Sequence, residues 1–204
     1  MRLGILGGTF DTVHLGHLIL AEAAAEHLAL DQVLFVPAGL QPLKQGRPTA
    51  PAEHRVRMVE LAIADNPRFA LSRVDVDHAG PSYTVDTLDR LRAAWGPAAQ
   101  FWFIVGLDSL ATLRAWRDPA GILTRARLAV APRAGVAVDL PALTAALPVL
   151  PDRLDHIPAP LIEISASDLR ARAAAGRSLR YLVPDAVAAY IAAAGLYRPP
   201  ALAG

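Results

Sequence analysis

The sequence predicts an α/β protein: a Rossmann-like, doubly wound parallel sheet with helices on both faces and a small C-terminal helical portion at about 165–197. Three observations predict it. Short apolar runs alternate with helical patterns along the chain, which is the arrangement of a parallel sheet with right-handed crossovers. The first run, Leu3-Gly4-Ile5-Leu6, passes through a glycine turn directly into a long Ala- and Leu-rich segment, residues 18–30. A third run, Gln100-Phe101-Trp102-Phe103-Ile104-Val105, is the most strand-like in the chain and reads as a central strand.

Length and composition narrow the function classes. The 204 residues suit one domain spanning 1–204, with enough chain for a substantial core. Apolar residues make up 53% and the net charge is +1, the profile of a globular chain rather than a disordered one. This near-neutral balance argues against a nucleic-acid surface. Apolar runs stay below the roughly 18 residues that span a bilayer, so no membrane partner is expected. The first residues lack the pattern of a signal peptide, because Asp11, His14 and His17 interrupt them. With no cysteine, disulfides and thiolate metal sites are excluded, and the expected location is cytoplasmic. The sequence carries no signal that selects between monomer and homo-oligomer.

The stretch with most chemistry is Gly7-Gly8-Thr9-Phe10-Asp11-Thr12-Val13-His14-Leu15-Gly16-His17. Strand, glycine turn and helix start is the arrangement that sets backbone N–H groups and a positive helix end against a phosphate. A glycine pair alone serves any tight turn. His14 and His17, three apart at the helix start, share one face. They read as surface or core residues, as phosphate donors, or as metal ligands. The metal reading lacks a third and fourth ligand, because His27, His54, His78 and His156 form no compact set with them. The stretch is neither a Walker loop nor the Gly-x-Gly-x-x-Gly dinucleotide fingerprint.

As a whole the stretch resembles the signature of the nucleotidyltransferases, Gly-Gly-x-Phe-Asp-x-x-His-x-Gly-His, matching at Gly7, Gly8, Phe10, Asp11, His14, Gly16 and His17. Thr12 departs from it, standing where many members have Pro. Losing the fixed φ softens the turn and removes no reactive group. The resemblance implies that His14 and His17 hold the triphosphate of a nucleotide during transfer of its α-phosphoryl group, with Gly8, Thr9 and Phe10 in the ATP-binding turn.

The next elements follow in order. Gln32-Val33-Leu34-Phe35-Val36-Pro37 reads as a buried strand, and residues 38–51 as a long loop rich in turn-formers. That loop holds Lys44, the one lysine among twenty basic residues. Lysine serves phosphate sites as a compact point charge. The nicotinate-nucleotide adenylyltransferase branch often carries Pro-Pro-His-Lys there. This chain has Gln41-Pro42-Leu43-Lys44, so only Lys44 is carried over, as a triphosphate contact. Residues 51–65 read as a helix with Val56, Val59 and Ile63 on one face, ended by Asn66-Pro67. Arg55 and Arg57 read as solvated charges on it. Residues 69–76 read as a strand.

Ser82-Tyr83-Thr84-Val85-Asp86-Thr87-Leu88 begins another helix, which Ser82 or Thr84 can cap. The string also resembles one that helps hold the pyridine mononucleotide in the nicotinate-nucleotide branch, which assigns Thr84 to that nucleotide. Gly106-Leu107-Asp108 follows the central strand, at the carboxyl end where doubly wound sheets bind ligands, and precedes a helix over 109–114. Asp108 can cap that helix. By resemblance to the family's Gly-x-Asp, Gly106 and Asp108 contact ATP, with the carboxylate on a ribose. Leu113-Arg114-Ala115-Trp116 resembles the family's Leu-x-x-Trp segment. Trp116 is either a stacking surface for a flat, electron-poor pyridine ring or a core residue. Residues 127–132 read as a strand. The Arg133-Ala134-Gly135 that follows resembles the family's Arg-x-Gly, which makes Arg133 a phosphate contact of the pyridine nucleotide. Residues 134–153 carry no recognisable chemistry, and residues 161–164 read as a last short strand.

Ile164-Ser165-Ala166-Ser167-Asp168-Leu169-Arg170 repeats the strand-to-helix phosphate geometry of the N-terminus. It resembles the family's Ile-Ser-x-Ser/Thr-x-Ile/Leu-Arg motif, in which a hydroxyl and the arginine hold the ATP phosphates, here Ser167 and Arg170. The resemblance covers residues 1–45, 82–88, 100–135 and 162–197. It implies transfer of the adenylyl group of ATP to nicotinate mononucleotide, giving nicotinate adenine dinucleotide and pyrophosphate. His14, His17, Lys44 and Arg170 would be the catalytic group. Mg²⁺ is expected, bound mainly by ATP oxygens and water, with no protein metal ligand. The rivals are the same reaction on nicotinamide mononucleotide, phosphopantetheine or a polyol phosphate, and a nucleotide-binding regulator without turnover. A Rossmann dehydrogenase is disfavoured by the missing glycine fingerprint.

Overall fold

The computed structural model describes residues 1–40 and 49–198. Among these the six strands are β1 (Arg2–Gly8), β2 (Gln32–Pro37), β3 (Phe69–Leu71), β4 (Gln100–Gly106), β5 (Arg127–Ala131) and β6 (Leu154–His156). All pair in parallel, in the order β3-β2-β1-β4-β5-β6. The helices are α1 (Leu15–His27), α2 (Ala52–Ile63), α3 (Thr84–Trp95), α4 (Leu107–Ala111), α5 (Pro119–Arg125), α6 (Leu140–Ala146), α7 (Ala166–Ala174) and α8 (Asp185–Ala193).

The two-residue period of the strands divides the core into two layers. Leu3 and Ile5 of β1, with Phe101, Phe103 and Val105 of β4, pack against α3, α5 and α6. Leu6 of β1, with Trp102 and Ile104 of β4, faces α1, α2, α7 and α8. Burial on both faces is why the β4 run is apolar throughout rather than alternating. Gly4 lies on the α1 side, where a Cβ would come within 2.8 Å of Leu30 Cδ1 and 3.0 Å of Ile104 Cδ1. The missing side chain lets that layer close on the sheet. On α2 the expected face is buried, at Val56, Val59 and Ile63.

Four expectations need correction. The strand read over residues 69–76 stops at Leu71. Beyond it Asp77 N–H bonds the Arg73 carbonyl, and Arg73 pairs with Asp77 and Glu53, so the chain turns instead of extending. Residues 161–164 join no strand. Pro158 and Pro160 lack ladder donors just before them. The last strand is β6, between the stretch 134–153 and the expected strand, where no element was expected. Neither Ser82 nor Thr84 caps α3, whose N-cap is Tyr83. Ser82 Oγ instead accepts from Gly39 N–H at 3.0 Å, tying this loop to the end of β2. The helix expected over 109–114 begins two residues earlier and gives way to a 3₁₀ turn, Leu113–Ala115, and Asp108 lies in its first turn without capping it.

The short edge strand β6 depends on Asp155. Its carboxylate accepts from Arg127 at 2.5 and 2.8 Å and from Trp102 Nε1 at 3.0 Å, joining three adjacent strands. The Arg127 guanidinium holds the carboxyl below its ordinary pKa. Asp155→Ala leaves a half-buried arginine and an indole N–H without their acceptor, and is expected to cost about 2 kcal/mol in urea unfolding. A change under about 0.5 kcal/mol would show that β6 is held by its ladder alone.

Candidate active site

The signature stretch folds into a buried turn. Phe10 takes a positive φ of 50° and sends its ring inward, 5.8 Å from Phe35 and edge-on to His17 at 5.1 Å. Asp11, Thr12, Val13 and His14 are all buried behind it. A Cβ at Gly8 would lie 3.3 Å from the Phe10 ring, a tight contact that the ring would have to shift to relieve. Phe10 therefore supports the turn from beneath, and any contact it makes with a nucleotide is through its backbone.

His14 is the N-cap of α1 and His17 its third residue. The His14 N–H donates to His17 Nδ1 at 3.2 Å, and the two rings stack with centroids 3.7 Å apart. Because Nδ1 of His17 accepts, its ring proton sits on Nε2. Burial, with a smaller contribution from the charge of Arg133, pushes the His14 imidazole down to about pKa 4, so it is neutral at pH 7. Its Nδ1 is buried and has no hydrogen-bond partner among the described residues. A Cβ at Gly16 would press on that atom at 3.1 Å.

A cleft of about 380 Å³ opens at the carboxyl ends of the strands, where β1 and β4 lie side by side, a volume in the range of small-ligand pockets. Its lining brings together Gly8, His17, Thr84, Gly106, Asp108, Trp116 and Arg133, residues spread over 126 positions of sequence between the first and the last. Trp116 is half-buried in the cleft wall. Its ring meets Phe103 edge-on at 6.0 Å, and Nε1 reaches Thr112 Oγ1 at 3.4 Å. Trp116 thus packs on the edge of the core layer and also forms part of the cleft wall. Arg133 is exposed.

The second motif approaches from the other side. Ser165 caps α7, accepting from Asp168 N–H at 3.5 Å, and its hydroxyl lies 2.6 Å from that of Ser167. Arg170 donates to the Asp11 carbonyl, which joins this helix to the signature turn. Thr9, His14, Ser167 and Arg170 do not line the cleft itself. Lys44 lies outside the described residues.

Sequence reasoning missed three residues around the cleft. Arg55 is no solvated charge. It is 3% exposed and donates to the carbonyls of Thr9 (2.8 Å), Ala38 (2.7 Å), Ala50 (3.1 Å) and Gly39 (3.4 Å). One guanidinium thus ties the turns after β1 and β2 to the entry of α2. The signal was present: Arg55 precedes Val59 by four, on the buried stripe of α2. Asp75 is buried in the cleft wall, where it accepts from Arg90 at 2.6 Å and from Thr87 Oγ1 at 2.9 Å. Nothing in its sequence context marked it. Tyr197, near the C-terminus, donates to Asp11 Oδ1 at 2.5 Å.

Comparison with known proteins agrees with this geometry. The chain matches the cytidylyltransferase-like family over residues 5–172. It is 52% identical over 196 residues to a protein of Roseiflexus sp. (strain RS-1) described as a probable nicotinate-nucleotide adenylyltransferase, covering 96% of this chain and 98% of that one. A relative of the same description from Thermomicrobium roseum is 51% identical over 197 residues, covering 97% and 92%. Among solved structures, Plasmodium falciparum nicotinic acid mononucleotide adenylyltransferase complexed with NaAD superposes with a TM-score of 0.79 at 17% identity, covering 96% of this chain and 97% of that one. At that identity the likeness speaks for the fold. Signature turn, sheet order and relatives agree: the chain belongs to the cytidylyltransferase-like family of nucleotidyltransferases, among its nicotinate-nucleotide adenylyltransferases.

Proposed function

We propose that this chain, acting as one domain, transfers the adenylyl group of ATP to nicotinate mononucleotide, forming nicotinate adenine dinucleotide and pyrophosphate. The observation that carries the reading is the histidine pair at the start of α1. A neutral, buried His14 lies stacked against His17, whose Nε2–H belongs to a ring on the wall of a cleft at the sheet's switch point.

An oxygen of the acceptor's phosphate attacks the α-phosphorus, and the bond from that phosphorus to the bridging oxygen of pyrophosphate breaks. The acceptor is largely dianionic at neutral pH, with a second pKa of about 6, so no general base is required. The protein's work is to align the reactants and to stabilise charge on the transferring and leaving groups. His17 donates from Nε2 to a triphosphate oxygen, and His14 adds a donor beside it. Arg170 and Lys44 hold the leaving pyrophosphate, with Ser167 and the turn of Gly8, Thr9 and Phe10 around it. Gly106 and Asp108 take the adenosine ribose. Across the cleft, Thr84 and Trp116 hold the pyridine ring and Arg133 a phosphate of its nucleotide.

The donor set fits a magnesium ion carried by the nucleotide. Among the described residues no group of three or more His, Asp or Glu side chains is placed to hold a metal, and Asp11 is already engaged by Tyr197 and the Ala50 N–H. Bound to phosphate oxygens and water, Mg²⁺ would supply charge neutralisation on the triphosphate. No helix among the described residues is long and apolar enough to cross a membrane. Together with the absence of cysteine and the use of ATP, this supports a cytoplasmic enzyme.

Two outcomes are expected. Pyrophosphate release with Mg·ATP should be strong with nicotinate mononucleotide and weak with nicotinamide mononucleotide or phosphopantetheine, and His17→Ala should lower kcat by about 100-fold. Near-wild-type turnover in His17→Ala would remove that residue from the mechanism. The second outcome concerns pH. The native His14 stays neutral down to about pH 4, whereas the unfolded imidazole charges below 6.5. In that window the unfolded chain binds the extra proton, so stability falls as pH drops from 6.5 toward 4, by up to about 3 kcal/mol. Urea unfolding of His14→Gln should show a flatter slope over the same window. Parallel slopes in the two proteins would contradict the burial of a neutral imidazole.

A further inference from the structure

Tyr197, close to the end of the described residues, reaches the signature turn. Beyond the end of α8, after its C-cap Ala194, Gly195 takes a φ of 63°, the left-handed position that glycine fills without strain. Leu196 N–H returns to the Ile191 carbonyl at 3.0 Å, which closes a Schellman turn. Leu196 and Tyr197 then pack against the core layer shared by α1 and α2. This reversal aims the Tyr197 phenol at Asp11, inside the signature turn and 186 residues away.

Asp11 is 2% exposed, and each of its acceptors has a partner. Oδ1 takes the Tyr197 hydroxyl at 2.5 Å, and Oδ2 takes the Ala50 N–H at 3.3 Å and faces Arg170 Nε at 3.9 Å. The backbone carbonyl of Asp11 takes a second donor from Arg170. A carboxylate so placed can rotate if one donor is lost, and with it the carbonyl that anchors Arg170. Burial, then the bond to Asp11, pushes the phenol well above its ordinary pKa, so it remains a donor at any working pH.

We propose that Tyr197 is a positioning residue for nucleotide transfer: by holding the Asp11 carboxylate it fixes the turn that presents His14 and His17 and the anchor of Arg170. The proposal rests on the reading of that turn as the triphosphate site. Its effect therefore falls on the ATP side of the cleft, not on the pyridine side formed by Thr84 and Trp116.

Tyr197→Phe keeps the ring and its packing and removes only the donor. Tyr190→Phe is the matched control. It deletes a phenol on α8 whose hydroxyl bonds His54 Nδ1 at 2.7 Å rather than Asp11. The expected result is that Tyr197→Phe lowers kcat/KM for ATP about tenfold or more and leaves the KM for nicotinate mononucleotide within about twofold, while Tyr190→Phe changes neither. Asp11→Asn should give the same ATP-side loss, and the double variant should lose no more than the worse single one. Equal losses in Tyr197→Phe and Tyr190→Phe, a loss confined to the acceptor, or losses that multiply in the double variant would overturn the proposal. Equilibrium binding of a non-hydrolysable ATP analogue is measured on the same proteins. If the wild-type chain binds the analogue but turns over no pyridine nucleotide, the acceptor reading fails, and weaker analogue binding by Tyr197→Phe alone still decides the role of Tyr197.

Discussion

The constraint on which the rest depends is that the chain leaves the two central strands toward opposite faces of one sheet. From β1 it goes to α1, in the layer with α2, α7 and α8. From β4 it goes to α4, whose Leu110 packs in the layer with α3 and α5. Neighbouring strands that diverge in this way leave a gap above their carboxyl ends that neither connection covers. Gly8 and Gly106 stand at the two sides of that gap, and both line the cleft. The helix start, Asp108 and the aromatic wall can meet there because the topology leaves the space open.

An open gap does not by itself hold a polyanion in place. The turns around it are fixed by buried charges whose hydrogen bonds go to backbone groups and to the Tyr197 phenol. Arg55 gives its donors to four carbonyls from three segments, and Asp11 accepts from Tyr197 and from the N–H of Ala50, which begins the approach to α2. Burial lowers the pKa of Arg55, and the nearby Asp11 offsets that cost. Breaking such an arrangement leaves an uncompensated charge or carbonyl, which makes it rigid rather than merely stable. Rigidity is the useful property, since donors already aimed at a phosphate need no reorganisation during transfer.

Much of this was legible in the sequence, and the parts that were not share a cause. The β4 run, the apolar stripe of α2 and the glycine turn are local patterns, and each appears in the structure near its expected place. The three-residue β6 has too little pattern to read, because it exists through the contacts of Asp155 with Arg127 and Trp102. Arg55 was read as solvated because arginine usually is, although its position on the buried stripe pointed the other way. Tyr197 and Asp75 act through partners far away or unmarked in sequence, so no spacing rule reaches them. Conversely, the pairing of Ser167 and Arg170 with the first turn was drawn from motif resemblance; Arg170 bonds the Asp11 carbonyl of that turn, while the Ser167 hydroxyl bonds that of Ser165.

The central claim is that the turn bearing His14 and His17 receives the triphosphate. The most direct measurement is an NMR titration of the histidine ring nitrogens with Mg²⁺ and a non-hydrolysable ATP analogue. His27, at the last residue of α1 and about 15 Å from His17, serves as the internal reference. The account predicts that the His14 and His17 signals move together and saturate with the analogue while those of His27 stay in place. Saturable binding that leaves His14 and His17 unmoved would contradict it.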